Sequence, residues 1–456
     1  MNHAIILAAG KGSRMKTDTP KCAVELFKKP MVEYIVDALD KIEIDKKICV
    51  VGHKSEVIEG ILGDRVEYAY QDVQLGTADA VKRAISLICG DGYSLILPGD
   101  TPLIDDEILA GITRYHKESK NDFSIGTIYL DNPTGFGRII RDGTGNIASI
   151  VEEVDATNIE KDIKEVNTGI YCIENKMLIE TLHLIRCNNN KSEYYLTDLV
   201  KLLASKAKVG SYLIKDTYKV MGINDLYSLS LVEESLKRVI NKKHMINGVT
   251  IVNPDTVMIS PDVKIESGAI IYQGSIIMGK SYIAKGCHIG PYSDIMNSII
   301  EENSICRQSV VYDSIIKCNA TVGPFAHLRM NSIVGENDRI GNFVEIKKST
   351  LGTKTNVAHL TYIGDAICGD EVNFGCGTVT VNYDGKNKFK TKIGNRVFIG
   401  CNSNLIAPIN IGSDVYIAAG STINQDLIDE DFAIARVRQI VKHNYSNKYG
   451  YKKSKL

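Results

Sequence analysis

Close to its N-terminal end the chain sets Gly10-Lys11-Gly12-Ser13-Arg14-Met15 directly after an apolar run, Ala4 to Ala9, and follows it with Pro20-Lys21. Glycines at a strand end let backbone N–H groups approach phosphate oxygens, and Arg14 and Lys21 add the positive charge a polyphosphate needs. The spacing matches neither the Walker pattern nor the full dinucleotide fingerprint. Taken alone, it fits a phosphate cradle and a tight turn with solvated basic residues equally well. A second candidate lies far away in sequence. The polar segment from Val379 to Thr391, with Asn382-Tyr383-Asp384-Gly385-Lys386-Asn387-Lys388-Phe389 at its centre, interrupts a regular aliphatic pattern. Loops extruded from a rigid repeat are common places for function.

The elements that must position these groups differ between the two halves. In the first half Ala4 to Ala9, Lys47 to Gly52 and Ser94 to Asp100 read as buried strands, with helix-like stretches at Met31 to Asp40 and Thr77 to Ile88. That alternation predicts a mostly parallel α/β sheet covered on both faces, which binds ligands at the C-terminal ends of its strands. Asn224 to Asn241 reads as a connecting helix, capped by Asn224 or Asp225, with Leu229, Leu236, Val239 and Ile240 on its apolar face. Beyond it the period becomes six. Ile259, Ile265, Ile271, Ile277, Ile283, Ile289 and Ile295 form one run. Ile316, Val322, Leu328, Val334, Ile340 and Ile346 form a second, and Ile393, Ile399, Leu405, Ile411, Ile417 and Ile423 a third. A coiled coil repeats in sevens, whereas a parallel β-helix of hexapeptide repeats turns one aliphatic side chain inward on each flat face.

Composition narrows the functional classes. With 54 Lys and Arg against 55 Asp and Glu, the chain lacks the basic excess of a general nucleic-acid binder. The eleven cysteines are odd in number and form no C-x-x-C pair, so neither a disulfide framework nor a structural zinc site is expected. The apolar run near the N-terminus is too short for a signal peptide or a membrane span, and a cytoplasmic location is expected.

Leu7-Ala8-Ala9-Gly10-Lys11-Gly12-Ser13-Arg14-Met15 with Pro20-Lys21 resembles the signature of sugar-phosphate nucleotidyltransferases. Gln71 to Ala78 is similar to their nucleobase-binding segment, and Leu97-Pro98-Gly99-Asp100 to the strand end that carries their metal-binding aspartate. Gly135-Phe136-Gly137-Arg138-Ile139, Ile150-Val151-Glu152, Val166-Asn167-Thr168-Gly169 and Gly222-Ile223-Asn224 follow in the family's order. The resemblance implies displacement at the α-phosphorus of UTP by a sugar-1-phosphate. It implies Mg²⁺ on Asp100 and Asn224, with Arg14 and Lys21 on the triphosphate and Leu7, Ala8, Ala9, Gly10, Pro98 and Gly99 lining the nucleotide. Gln71, Gln74, Gly76 and Thr77 would read uracil and ribose, and Gly137, Glu152 and Asn167 the sugar. Pro98 departs from the aromatic residue often found in the family. Read alone, Asp100 is also a turn aspartate and Glu152 a solvated carboxylate.

Gly323 to Arg329, Gly341 to Lys348, His359 to Asp365 and Asn382 to Gly385 narrow the resemblance. They are similar to enzymes that join an N-acetylglucosamine-1-phosphate uridyltransferase to a glucosamine-1-phosphate N-acetyltransferase, over nearly the whole chain. This implies acetyl-CoA as co-substrate and a homotrimer with acetyl sites between subunits. His359 would be the general base, because an amine must lose a proton as it attacks a thioester and imidazole titrates near neutrality. Glu345 is the group considered for orienting it. Arg329 and Lys347 would hold the sugar phosphate beside Tyr362 and Asn373, with Asn382 and Tyr383 reaching the acceptor or the CoA arm. Cys376, Cys401, Ala419 and Arg436 align with CoA contacts, Cys401 replacing the usual serine. Arg436 opens a basic tail that continues through Lys448, Lys452, Lys453 and Lys455.

The expected organisation is therefore a Rossmann-like α/β nucleotidyltransferase domain (1–226), a helical linker (227–247) and a left-handed parallel β-helix with a basic tail (248–456). The expected product is UDP-N-acetylglucosamine for cell-wall precursor synthesis, made from small-molecule substrates with no nucleic acid and no membrane span. The alternative is a uridyltransferase whose β-helix is only an oligomerisation scaffold. A non-catalytic sugar-nucleotide sensor is a third reading, against which Lys21, Asp100 and Asn224 stand.

Overall fold

A computed structural model describes residues 1–445 except 188, 190 and 191. They form two compact units, which divide between Leu236 and Lys237. Lys448, Lys452, Lys453 and Lys455 of the basic tail lie outside the described residues.

In the first unit the strands are β1 (His3–Leu7), β2 (Lys46–Val51), β3 (Glu67–Tyr70), β4 (Tyr93–Pro98), β5 (Phe123–Tyr129), β6 (Arg138–Arg141), β7 (Ile147–Val151), β8 (Glu165–Glu174) and β9 (Val209–Leu213). They are ordered β9-β5-β8-β4-β1-β2-β3, with the β6–β7 hairpin attached to β8. Strand β1 runs parallel to β2 and β4. Strand β8 is antiparallel to both β4 and β5, whereas β9 runs parallel to β5, so along the β9-β5-β8-β4-β1-β2-β3 path the expected mostly parallel sheet holds for every strand but β8. The chain reaches β8 through a hairpin instead of a crossover helix, and so it enters the sheet reversed.

The apolar runs are continuous because both sheet faces are covered. Ile6, Leu95 and Leu97 pack with residues of α1 (Met31–Leu39), α2 (Ser55–Leu62) and α4 (Asp106–Glu118). Their neighbours Ile5, Ile48 and Ile96 pack on the other side with α3 (Thr77–Ala84).

Helix α5 (Leu226–Ile246) starts after Asp225, whose carboxylate caps Ser228 N at 2.7 Å. It continues past the expected end at Asn241 through Lys243 and His244, charges that suit a helix C-terminus. It stops at Gly248, which has φ 87° and donates to Met245 O. Val232 and Ile240 are buried in it, whereas Val239 is exposed, contrary to the expected face.

The second unit is a left-handed parallel β-helix. Ile259 pairs with Ile277 and Ile277 with Ile295, each aliphatic lying on its counterpart three hexapeptides away. Every aliphatic of the three runs is buried except Ile265, which is half-buried in the first coils. The apparent break after Ile295 is a run of shortened coils, in which Ile300, Cys306 and Val311 continue the core and pair with Ile316, Val322 and Leu328. At the polar insertion, Val379–Val381 and Thr391–Ile393 remain in the coil, so the extruded loop is 382–390. Phe389 N donates to Asn382 O at its base, and Asp384 Oδ1 accepts from Lys386 N and Asn387 N.

One buried histidine gives the first unit a pH dependence. His116 on α4 contacts Ser124 Oγ at 3.0 Å and Glu174 Oε1 at 3.1 Å. Burial lowers its pKa, with Glu174 acting against the shift. An unfolded histidine takes up a proton as pH falls past about 6.5, and folded His116 resists it. Its stability is full above that pH and lost below it. Thermal unfolding from about pH 8 to about pH 5 is expected to show a smaller loss for His116→Gln than for the wild type. His3, also lowered by burial, keeps part of the slope.

Candidate active sites

Strand ends of the first unit assemble one site. Leu7 lies beside Pro98 across the β1–β4 ladder, and Gly99 N donates to Leu7 O at 2.9 Å. The chain then turns through Gly12, at φ 63°, where a Cβ would sit 2.7 Å from Lys21 Cβ. Glycine there lets the Lys21 side chain pass. Its ammonium meets Asp100 Oδ2 and, at 2.7 Å, Asn224 Oδ1. Arg14 donates to the same Asn224 oxygen at 2.8 Å. Asp100 and Asn224 therefore already present two hard oxygens to a single cation, and this donor set fits Mg²⁺ that keeps its remaining ligands from phosphate and water. Among the described residues there is no cluster of three or more His, Cys, Asp or Glu side chains able to hold a metal ion. A two-residue, substrate-completed site is what this end of the sheet offers.

The segment expected to read the base is held by internal hydrogen bonds. Gln71 is 3% exposed, and its amide donates to Gly76 O and Asp79 Oδ2. It shapes the loop, leaving Gln74 more accessible. Gly76 has φ 113°, and a Cβ there would come within 2.5 Å of Tyr194 O. Thr77 Oγ1 accepts from Leu196 N. The sugar-side residues also converge. Asn167 N donates to Gly137 O at 2.9 Å, and Gly137 faces the Glu152 carboxylate, each of whose oxygens lies 3.5 Å from an added Cβ. Thr197, which sequence reasoning missed, donates to Glu152 Oε1. Pro98 packs its ring 3.6 Å from the Cβ position of Gly169, filling the floor beside Asn167.

In the β-helix the candidates divide about one corner. Strands Arg339–Lys347 and Asn356–Gly364 bend round it as a pair, Asn342 opposite His359. On the face after the corner Arg329 pairs with Lys347, and Glu345 with Tyr362. Tyr362 covers Gly364, where a Cβ would meet its hydroxyl at 2.3 Å. Asn373 lies on the face before the corner, with its Oδ1 accepting from Asn356 Nδ2. Exposed His359 has Nδ1 2.8 Å from Asn342 Oδ1. Glu345 instead takes Arg329, through Nε at 2.9 Å and Nη2 at 2.6 Å. The expectation that Glu345 orients His359 is corrected: Asn342 does so. An Nδ1–H donated to Asn342 leaves the Nε2 lone pair for a proton.

The same corner carries the remaining candidates. Continuing the register Arg339–Asn356–Asn373–Phe398–Tyr416 three residues further gives Asn342, His359, Cys376, Cys401 and Ala419 in one column. Backbone bonds confirm the stacking: Gly377 N donates to Leu360 O, Asn402 N to Cys376 O and Gly420 N to Cys401 O. Arg436 Cδ lies 3.7 Å from the Cβ position of Gly420. Beside the corner Lys347 is buried, 3.8 Å from Asp365 Oδ2. Asn382 also holds Asp365, at 2.5 Å, and so anchors the extruded loop. Lys388 on that loop approaches Lys347, and its ammonium is the largest cause of a lowered Lys347 pKa, ahead of burial. Exposed Tyr383 donates to Gly385 O within the loop.

Comparisons with known proteins match both units of the chain. A nucleotidyl transferase family model matches residues 3–250, a GMPPB C-terminal domain model 255–341 and a bacterial transferase hexapeptide model (six repeats) 390–425. The Bifunctional protein GlmU of Acholeplasma laidlawii is 50% identical over 446 residues, covering 98% of this chain and 97% of that protein. Those of an Exiguobacterium species and a Geobacillus species are each 45% identical, covering 98% and 99% of this chain and 99% of either protein. The chain belongs to the GlmU family. Among the described residues of this GlmU-family chain no helix is long and apolar enough to cross a membrane.

Asn342 and Lys388 escaped sequence reasoning for different reasons. Asn342 could be found only from the coil register. Lys388 is one of several lysines in a polar loop, and only the fold brings it to Lys347. Three cations, Arg329, Lys347 and Lys388, with Asp365 and Glu345 between them, suit a phosphate. A charged hydrogen bond of about 1.5–3 kcal/mol corresponds to roughly 10- to 100-fold in affinity. Lys388→Ala is expected to weaken a sugar phosphate by that factor in calorimetry. The sign for protons follows from the lowered pKa: in alkaline buffer wild-type Lys347 loses charge early, and an arriving anion restores it. Binding there is expected to take up protons, measured as a dependence of binding heat on buffer ionisation enthalpy.

Proposed function

We propose that the chain is a two-site enzyme making UDP-N-acetylglucosamine for cell-wall precursors, in the cytoplasm. The β-helix (248–456) transfers acetyl from acetyl-CoA to the amine of glucosamine-1-phosphate. The α/β domain (1–226), joined by the linker 227–247, then couples N-acetylglucosamine-1-phosphate to UTP and releases pyrophosphate. The observation that carries the reading is His359, with Nδ1 on Asn342, beside the Arg329–Lys347–Lys388 cations.

In acetyl transfer the cations hold the sugar phosphate and Tyr362 and Asn373 border the sugar. His359 Nε2 takes the proton from the amine as its nitrogen attacks the thioester carbon, and the CoA thiolate leaves. The column Cys376–Cys401–Ala419, followed by Arg436, offers an extended track for the pantetheine arm, with Arg436 at its phosphate end. Asn382 and Tyr383 close the loop side. In uridylyl transfer Gln74, Gly76 and Thr77 border the base and ribose, with Gln71 holding their loop. Leu7, Ala8, Ala9, Gly10 and Gly99 supply backbone at the nucleotide, with the Pro98 ring against Gly169. Gly137, Glu152 and Asn167 position the N-acetyl sugar. Mg²⁺ on Asp100 and Asn224 would offset charge on the triphosphate. Lys21, once it leaves those two oxygens, and Arg14 neutralise the departing pyrophosphate.

The assembly is a homotrimer in this reading, because Asn373 and the Arg329–Lys347 face lie on opposite sides of a corner and a neighbouring chain can complete each half. Sedimentation is expected to give three chains, and an active monomer would reject it. The scaffold-only alternative draws on the match of the early coils to the GMPPB C-terminal domain, which ends at residue 341, before Asn342 and His359. An assay following CoA and pyrophosphate separately decides between the two. His359→Ala is expected to lose roughly 10²–10⁴-fold in CoA release, while pyrophosphate release from N-acetylglucosamine-1-phosphate continues. Wild-type protein that releases pyrophosphate but never CoA would establish the scaffold.

A further inference from the structure

Cys376 and Cys401 occupy adjacent rungs of the corner column that carries His359, and nothing in acetyl transfer requires a thiol at either place. Their register follows from Asn373 opposite Phe398 and Phe374 opposite Ile399, and Asn402 N donates to Cys376 O at 2.7 Å. Equivalent residues on neighbouring parallel strands lie about 4.8 Å apart, inside the Cα separation that a disulfide spans. The coils are pressed close at this point: a Cβ on Gly375 would fall 2.5 Å from Cys401 N. Glycines at 375 and 377 flank Cys376 and Gly400 precedes Cys401, so no side chain of an adjacent residue stands beside the Cys376 sulfur. Neither residue is in a disulfide; Cys401 is exposed and Cys376 partly covered.

We propose that Cys376 and Cys401 form a reversible disulfide that closes the acyl-CoA track, making acetyl transfer sensitive to the thiol–disulfide state while uridylyl transfer continues. The reaction uses a low-molecular-weight disulfide, R–S–S–R. The more exposed Cys401, as thiolate, attacks one of its sulfurs, forming a Cys401–S–S–R mixed disulfide and expelling one R–S⁻. Cys376, as thiolate, then attacks Cys401 Sγ, and the second R–S⁻ leaves. The two cysteine protons end on the two R–SH products, and the pair of thiols is oxidised by two electrons as one small disulfide is reduced. In a reducing compartment a disulfide of this kind is transient and regulatory. The cross-link bridges the two rungs next to His359 and takes both sulfurs out of the path assigned to the pantetheine arm, and there it excludes acetyl-CoA. The functional consequence rests on the acetyl-transfer reading; the formation of the bond does not.

The test equilibrates the full-length protein with glutathione buffers of increasing oxidised fraction, blocks free thiols, maps peptides by mass and assays both products. The expected result is a 376–401 cross-link whose appearance parallels a tenfold or greater loss of CoA release, with pyrophosphate release from N-acetylglucosamine-1-phosphate unchanged and full recovery in dithiothreitol. A Cys376→Ala, Cys401→Ser variant, whatever its own reduced rate, is expected to keep that rate under oxidation. Loss of CoA release without the cross-link, a glutathione adduct on Cys401 in its place, or a cross-link with acetyl transfer intact would each overturn the proposal. Reduced wild-type protein that never releases CoA would overturn the acetyl-transfer reading instead, and the peptide map still decides whether the thiols join.

Discussion

Hydrogen bonds from each coil of the β-helix to the next keep equivalent residues in register, and the chemistry of the second unit depends on that constraint. A corner residue is carried by a ladder such as Gly377 N to Leu360 O and Asn402 N to Cys376 O, and has little freedom to move along the axis. The side chains of Asn342 and His359 can meet at 2.8 Å because two coils place them on one rung column. The core supplies the rigidity. One aliphatic per face is buried beside its counterparts above and below, and removing such a side chain leaves a cavity costing about 2–5 kcal/mol.

A different constraint governs the first unit. Its fold brings Lys21, Asp100 and Asn224 together from three distant segments, and the lysine balances the carboxylate. A carboxylate, an amide oxygen and two cationic side chains kept in contact form a pre-organised cluster, and in the proposed uridylyl transfer it would meet a substrate that brings several negative charges.

Much of this was legible before any coordinates. The six-residue period announced the β-helix, because inward side chains recur once per face whatever the surrounding sequence. The continuous apolar runs announced a sheet covered on both sides. Other features depend on contacts that no local pattern records. The reversal of β8 follows from a hairpin whose partner lies elsewhere in the chain. The register slip after Ile295 comes from shorter coils, in which Ile300, Cys306 and Val311 continue the core. Glu345, the group considered for orienting His359, faces Arg329, and a neutral amide holds the imidazole. Lys388 could be assigned to Lys347 only once the loop was folded against Asp365 through Asn382.

The extruded loop also bears on how such an enzyme changes over generations. Val381 and Thr391 re-enter the coil in the same register their neighbours use, with Val381 beside Ile406 and Thr391 beside Ile409. The stack on either side therefore does not sense how many residues the excursion contains, and loop length itself adds little entropy. Changes in length at the exposed tip, between the Asn382 anchor and Lys388, can be absorbed without displacing the coils. The solenoid thereby separates the part of the chain that can vary from the part that must persist.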